Sequence, residues 1–284
     1  MYENKFLLVE KILESYPIEW RKNYYNNKKN LKIDKKNEPY FLQNVYGCYD
    51  ENKNTIEIYD DNSIIHELFH TCFRDKEKLQ KKFFEDENFY YSSGVSYKIY
   101  VSDKTIYSGK ALTEGFVEYL SRKISNCKGH NFEYFIVDLL ISIYGEDILK
   151  YPFTNDVLGF YSDERFLNIT KLKINLDQYQ ECVDCIQLIA NLGSSVMEKM
   201  NDYERKQMIQ MMNKIKVDFY NSVVNCIDLI VYEYKNCEHP MIDKKQFVLK
   251  VNDFIVNSDY TTIINFCNYS EDLEKKFQKI IKRI

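Results

Sequence analysis

The sequence IIHELFH at residues 64–70 sets His66, Glu67 and His70 in an HExxH arrangement. On an α-helix, at about 100° per residue, His70 lies about 40° around the axis from His66 and Glu67 about 60° further, so all three project into one sector of about 100°. Two imidazoles one turn apart can reach the same Zn²⁺, and the carboxylate beside them can reach a water bound to it. Ile64, Ile65, Leu68, Phe69 and Cys72 fall outside that sector, the pattern of a helix buried around its remaining circumference. Burying two imidazoles and a carboxylate without partners costs roughly several kcal/mol, and a metal removes that cost. Histidine is scarce here, four residues in 284. Chance would place HExxH in roughly four of a thousand such chains, so the pattern points to a metal site.

A two-histidine zinc needs a third protein ligand, usually a carboxylate. A metzincin continuation would require Gly at 73 and His at 76, where this chain has Phe73 and Lys76. Downstream, LTEGFVEYL at residues 112–120 carries Glu114 and Glu118 one helical turn apart, opposite Leu112, Phe116, Tyr119 and Leu120. With HELFH and TEGFVE together, the chain resembles the gluzincin metallopeptidases, which combine HExxH with a Glu on a second helix and often an acidic residue four positions later. The resemblance covers residues 45 to 125. It implies Glu114 as third zinc ligand and Glu118 as the acid that accepts a hydrogen bond from the far nitrogen of a zinc histidine. The stretch between the motifs is longer than in compact members, so Glu118 stays open as the ligand. It could also simply pair with Arg122 at i+4 on a solvated face.

The chemistry so implied is hydrolysis of peptide bonds by a zinc-activated water, with Glu67 as general base. An oxyanion donor would complete it. Tyr100, Tyr107 and Tyr161 are candidates by sequence proximity and His130 is another, with no choice among them. The alternatives are a catalytically silent zincin-fold binding or scaffold protein, and a host-directed proteolytic effector, since HELFH with a distant Glu also looks like the zinc site of clostridial-type neurotoxin light chains.

These residues need elements to hold them. A helix is expected over Glu3–Ser15, then a Lys- and Asn-rich segment to Asn37. Val45–Tyr49 and Thr55–Tyr59 flank the polar turn Asp50–Asn54 as a hairpin, with Ile56 and Ile58 on one face. The strand Thr55–Tyr59 is a candidate edge for pairing with a substrate backbone, as in the resembling enzymes. Asn62 or Ser63 would cap the HELFH helix. Val95–Val101 reads as extended, and a helix follows over about Ala111–Lys123. Beyond residue 160 only Gly193 and Pro240 interrupt the chain, and apolar spacings of three and four predict long helices there. The expected fold is α+β and predominantly helical. A zincin-like catalytic part with a short sheet would occupy residues 1–160 and an all-helical part residues 161–284.

Composition narrows the alternatives. A net charge of −4 and the absence of any helix-turn-helix or finger pattern argue against nucleic acid, and read the basic stretch Arg21–Lys36 as a solvated face. The longest apolar run, Phe132–Tyr144, is broken by Glu133 and Asp138 and predicts no membrane span. Charges within the first 17 residues spoil a secretory h-region, so a cytoplasmic, reducing setting with eight free cysteines is expected. Cys182 and Cys185 fit the apolar face of a helix better than a zinc site with Cys237 and His239. The expected partner is a peptide or protein substrate, cut by an endopeptidase holding one Zn²⁺.

Overall fold

The turn at residues 50–54 folds on local chemistry. The N–H groups of Asn52 and Lys53 donate to Asp50 Oδ1, and Asn54 takes the left-handed conformation that closes it. The flanking strands β2 (Gly47–Asp50) and β3 (Thr55–Ile58) pair antiparallel, Asp50 opposite Thr55 and Gly47 opposite Ile58. Ile56 and Ile58 are both fully buried on one face, as their spacing requires. The computed structural model describes residues 2–36, 47–85, 88–125, 131–257 and 270–284. Residues 45 and 46 of the expected hairpin, Cys127, His130 and Cys267 lie outside them.

The basic segment keeps Lys22, Lys28, Lys29, Lys32 and Lys35 exposed, as read, while its other face packs inward. It forms α2 (Lys22–Lys28), which buries Tyr24 and Asn27 against the HELFH helix, and β1 (Lys32–Lys35), which pairs parallel with β3. The sheet order is therefore β1-β3-β2. Thr55–Ile58 is its central strand, which corrects the expectation that this strand is an edge. A second sheet joins β4 (Phe89–Tyr91), β5 (Tyr97–Val101) and β6 (Lys104–Ser108), all antiparallel.

Helix α1 (Glu3–Leu13) precedes these strands, and α3 (Ile64–Cys72) carries HELFH directly after β3. Ser63 stands at the head of α3, but its hydroxyl donates back to the Asp60 carbonyl and does not cap the helix. Helix α4 (Lys110–Ser121) packs closely on α5 (Asn131–Tyr144), which is buried on most of its circumference. Their approach depends on Gly115, where a Cβ would lie 2.5 Å from the Glu133 carbonyl oxygen. That backbone atom cannot swing aside. Gly115→Ala is therefore expected to cost about 1–3 kcal/mol of stability, read by denaturant unfolding.

After α6 (Lys150–Thr154) and α7 (Val157–Ser162), two long helices run antiparallel, α8 (Ile169–Lys199) and α9 (Asp202–Asn236). A capping box between Asn201 and Glu204 starts α9. Helices α10 (Lys244–Asn257) and α11 (Ser270–Ile281) follow. The described residues beyond 160 are thus mostly helical. One hydrophobic cluster runs from Val9 to Ile281 and takes residues from α3, α4, α5, α8 and α9. No described helix is long and apolar enough to cross a membrane. Among the described cysteines Cys48 and Cys185 are exposed, so the expected place of Cys185 on an apolar face is not what forms.

Candidate metal centre

Helix α3 is held at both ends. Its head follows β3, and its last carbonyls are satisfied by Asn27 of α2, whose Nδ2 donates at 2.8 Å to both Thr71 O and Arg74 O. Arg74, 5% exposed, donates to Asn27 Oδ1 at 2.7 Å and also to the Glu51 carbonyl. The segment read as solvated therefore anchors the histidine helix. Tyr49 of β2 stacks near-parallel on His70, with centroids 6.5 Å apart, and its hydroxyl is tied to Asn54 Oδ1 at 2.8 Å.

Helix α4 crosses α3 and brings its two glutamates to the two histidines. Glu114 Oε2 lies 3.3 Å from His66 Nε2 and 3.1 Å from His70 Nε2, and the two Nε2 atoms are 3.2 Å apart. The three donors form a nearly equilateral triangle. Tetrahedral zinc with ligands at about 2.0–2.1 Å needs ligand atoms about 3.3 Å apart, so the donor set fits that ion. Among the described residues it is the one group that brings three such donors together. Cys182, Cys185, Cys237 and His239 form no such group. No protein-family model, curated protein or solved structure matches this chain.

Glu118 contacts both His66 and Arg122. It is fully buried, and its Oε2 accepts from His66 Nδ1 at 3.0 Å while its Oε1 accepts from Arg122 Nε at 2.8 Å. The Arg122 pair is buried, contrary to the solvated face that a bare i+4 spacing suggests. Arg122 is itself fixed by Asn131 Oδ1 at 2.6 Å and by the Tyr134 ring 3.9 Å away. Burial alone would raise the Glu118 carboxyl, but His66 and Arg122 hold it below the ordinary range. An ionised Glu118 can only accept, so His66 carries a proton on Nδ1, and in the neutral ring Nε2 is a lone pair. That lone pair faces Glu114 and His70. The three atoms lie close enough together for one cation to bridge them. In the metal-free chain a proton takes that place: burial works against a charged His66, yet Glu114 and Glu118 raise its pKa well above 6.5.

Glu67 is 5% exposed and stands outside the triangle. Its side chain lies along β2, where a Cβ on Gly47 would come within 2.9 Å of Glu67 Oε1 and 2.5 Å of Ser63 Oγ. Gly47 and Tyr49, two residues apart, thus both face the histidine helix. Neither carried a signal in the sequence beyond β-propensity. Because the atoms in the way are side chains, Gly47→Ala should fold while displacing Glu67. The expected result is a circular dichroism spectrum like wild type and, on the peptidase reading proposed below, at least tenfold slower hydrolysis, consistent with the sensitivity of catalysis to about 1 Å of misplacement.

The candidate oxyanion donors stand apart in kind. Tyr100 is 43% exposed on β5, against Tyr90. Tyr107 is 46% exposed on β6 beneath the Lys98 ammonium. Tyr161 has a buried hydroxyl with no partner among the described residues, behind Gly109. Lys110, one turn before Glu114, has its ammonium pKa raised chiefly by that carboxylate and also feels Tyr107.

Proposed function

We propose that this chain is a zinc-dependent peptidase of gluzincin type, an endopeptidase acting on an extended peptide or protein substrate in the cytoplasm. The observation that carries this reading is the triangle of His66 Nε2, His70 Nε2 and Glu114 Oε2, with edges of 3.1–3.3 Å and Glu67 next to His66 in sequence. His66, His70 and Glu114 would hold the zinc, which when bound polarises a carbonyl and lowers the pKa of a coordinated water to about 7.

The remaining work falls to the chain's own groups. Glu67 accepts the proton of the attacking water at its carboxylate and passes it to the leaving nitrogen. Glu118 keeps His66 in the tautomer that leaves Nε2 free, and Arg122 keeps Glu118 ionised. Strand β2, paired with β3 on one side among the described residues, replaces Thr55–Ile58 as the strand able to hold an extended backbone. Its Gly47 and Tyr49 would set that backbone beside Glu67 and His70. Metal analysis of purified protein, with peptide-library cleavage by wild type and Glu67→Gln, tests the reading. It requires stoichiometric zinc and hydrolysis lost in the variant. Absence of zinc, or equal hydrolysis by both proteins, would sink it.

A further inference from the structure

The head of α4 has no cap of its own. Gly109 occupies the N-cap position in the left-handed region, at φ +79°. A Cβ there would come within 2.5 Å of the Tyr161 hydroxyl and 3.0 Å of the Val95 carbonyl, so the position excludes the Ser, Thr, Asn or Asp that usually caps a helix. The free N–H groups are satisfied from α8. Gly109 N–H donates at 2.7 Å to Asp177 Oδ2, and Ala111 N–H at 3.3 Å to Asp177 Oδ1. Lys173, one turn earlier on α8 and 5% exposed, donates to Ser108 Oγ at 2.8 Å and to the Tyr97 hydroxyl at 2.7 Å. Burial raises the pKa of the half-buried Asp177 carboxyl, and the Gly109 and Ala111 N–H groups and the Lys173 ammonium act against that rise. A carboxylate at this place satisfies two orphan donors and complements the helix dipole.

Glu114 stands just over one turn into the helix so capped, and Glu118 a turn further. A small rotation or slide of α4 would move Glu114 Oε2 away from both histidine nitrogens. We propose that Asp177 is a positioning residue of the metal centre, a cap supplied in trans through which α8 fixes the rotation and height of α4 and so presents Glu114 to His66 and His70. This rests on the metal-binding reading above. It also makes residues beyond 160 part of how the site is built.

A cap away from this contact provides the control. Asn201 accepts from Glu204 N–H at 3.0 Å and caps α9, a helix that carries neither a donor of the triangle nor Asp177. Full-length wild type, Asp177→Ala, Asp177→Asn and Asn201→Ala are compared for zinc affinity by competition with a chromophoric chelator, for the visible spectrum of the Co²⁺-substituted protein, and for thermal midpoint. Asp177→Ala should bind zinc about tenfold or more weakly and alter the Co²⁺ spectrum, the scale seen when groups that orient ligands are removed. Asp177→Asn, which keeps an acceptor and loses the charge, should fall between and carries the test if the alanine variant does not fold. Asn201→Ala should lower the thermal midpoint, as loss of a helix cap does, and leave affinity and spectrum as in wild type. The inference is overturned if the Asp177 variants lose thermal stability but keep wild-type affinity and spectrum. Wild type that binds no zinc would overturn the metal reading and this inference with it, a separate outcome from the first.

Discussion

Glu67→Gln is expected to keep its zinc and to lower peptide hydrolysis by about 10²- to 10⁴-fold, the usual contribution of a positioned general base. Glutamine has the size of the buried glutamate and can lie along β2 against Gly47 as the carboxylate does. The amide cannot take a proton at neutral pH. Glu67 is not among the three donors of the triangle, so the metal and the fold should survive the change. The variant therefore separates chemistry from binding. Loss of turnover with full zinc content supports a peptidase. Unchanged turnover would overturn the proposed mechanism, and no turnover in either protein would favour a metal-stabilised scaffold.

His66→Ala is expected to have the largest effect on stability. It removes one corner of the triangle and the partner of Glu118 Oε2, leaving a fully buried carboxylate with Arg122 as its main remaining contact. Removing one member of a buried charged pair costs about 3–5 kcal/mol, and the surviving Arg122 contact places this case near the lower end. Zinc bound as proposed would add its own linkage in the wild type, so a chelator should lower the wild-type thermal midpoint. The same chelator should do nothing to His66→Ala. Differential scanning fluorimetry with and without chelator reads both terms. A variant that unfolds at the wild-type temperature, or one whose midpoint still responds to chelator, contradicts the assignment.

What was legible in the sequence was local. HELFH needs only helix geometry to bring its three side chains together, and the turn at Asp50–Asn54 closes on its own hydrogen bonds. Glu114 and Glu118 were legible as a pair one turn apart, but only the crossing of α3 and α4 shows which of them meets both Nε2 atoms. The Gly of the Glu-Gly context is explained by packing: it admits the Glu133 carbonyl of α5, and no metal contact is needed to account for it. What was not legible depends on distant partners. β1 is four residues of KIDK whose partner in the parallel pairing lies some 20 residues on, and no periodicity of its own announces it. Asn27 closes the end of α3 across 44 residues, and Asp177 caps α4 across 66 and 68. Polar residues that serve another element's backbone leave no pattern in their own, which is why a basic stretch looked solvated and an aspartate on a long helix passed unnoticed.

The central claim is that this chain holds one catalytic zinc through His66, His70 and Glu114. Its most direct test is the zinc content, by plasma mass spectrometry, of wild type, His70→Ala and Glu67→Gln after loading and exhaustive desalting. The account predicts one zinc per chain in wild type and Glu67→Gln and a near-complete loss in His70→Ala. Wild type that retains no zinc, or a His70→Ala protein that retains as much as wild type, would contradict it.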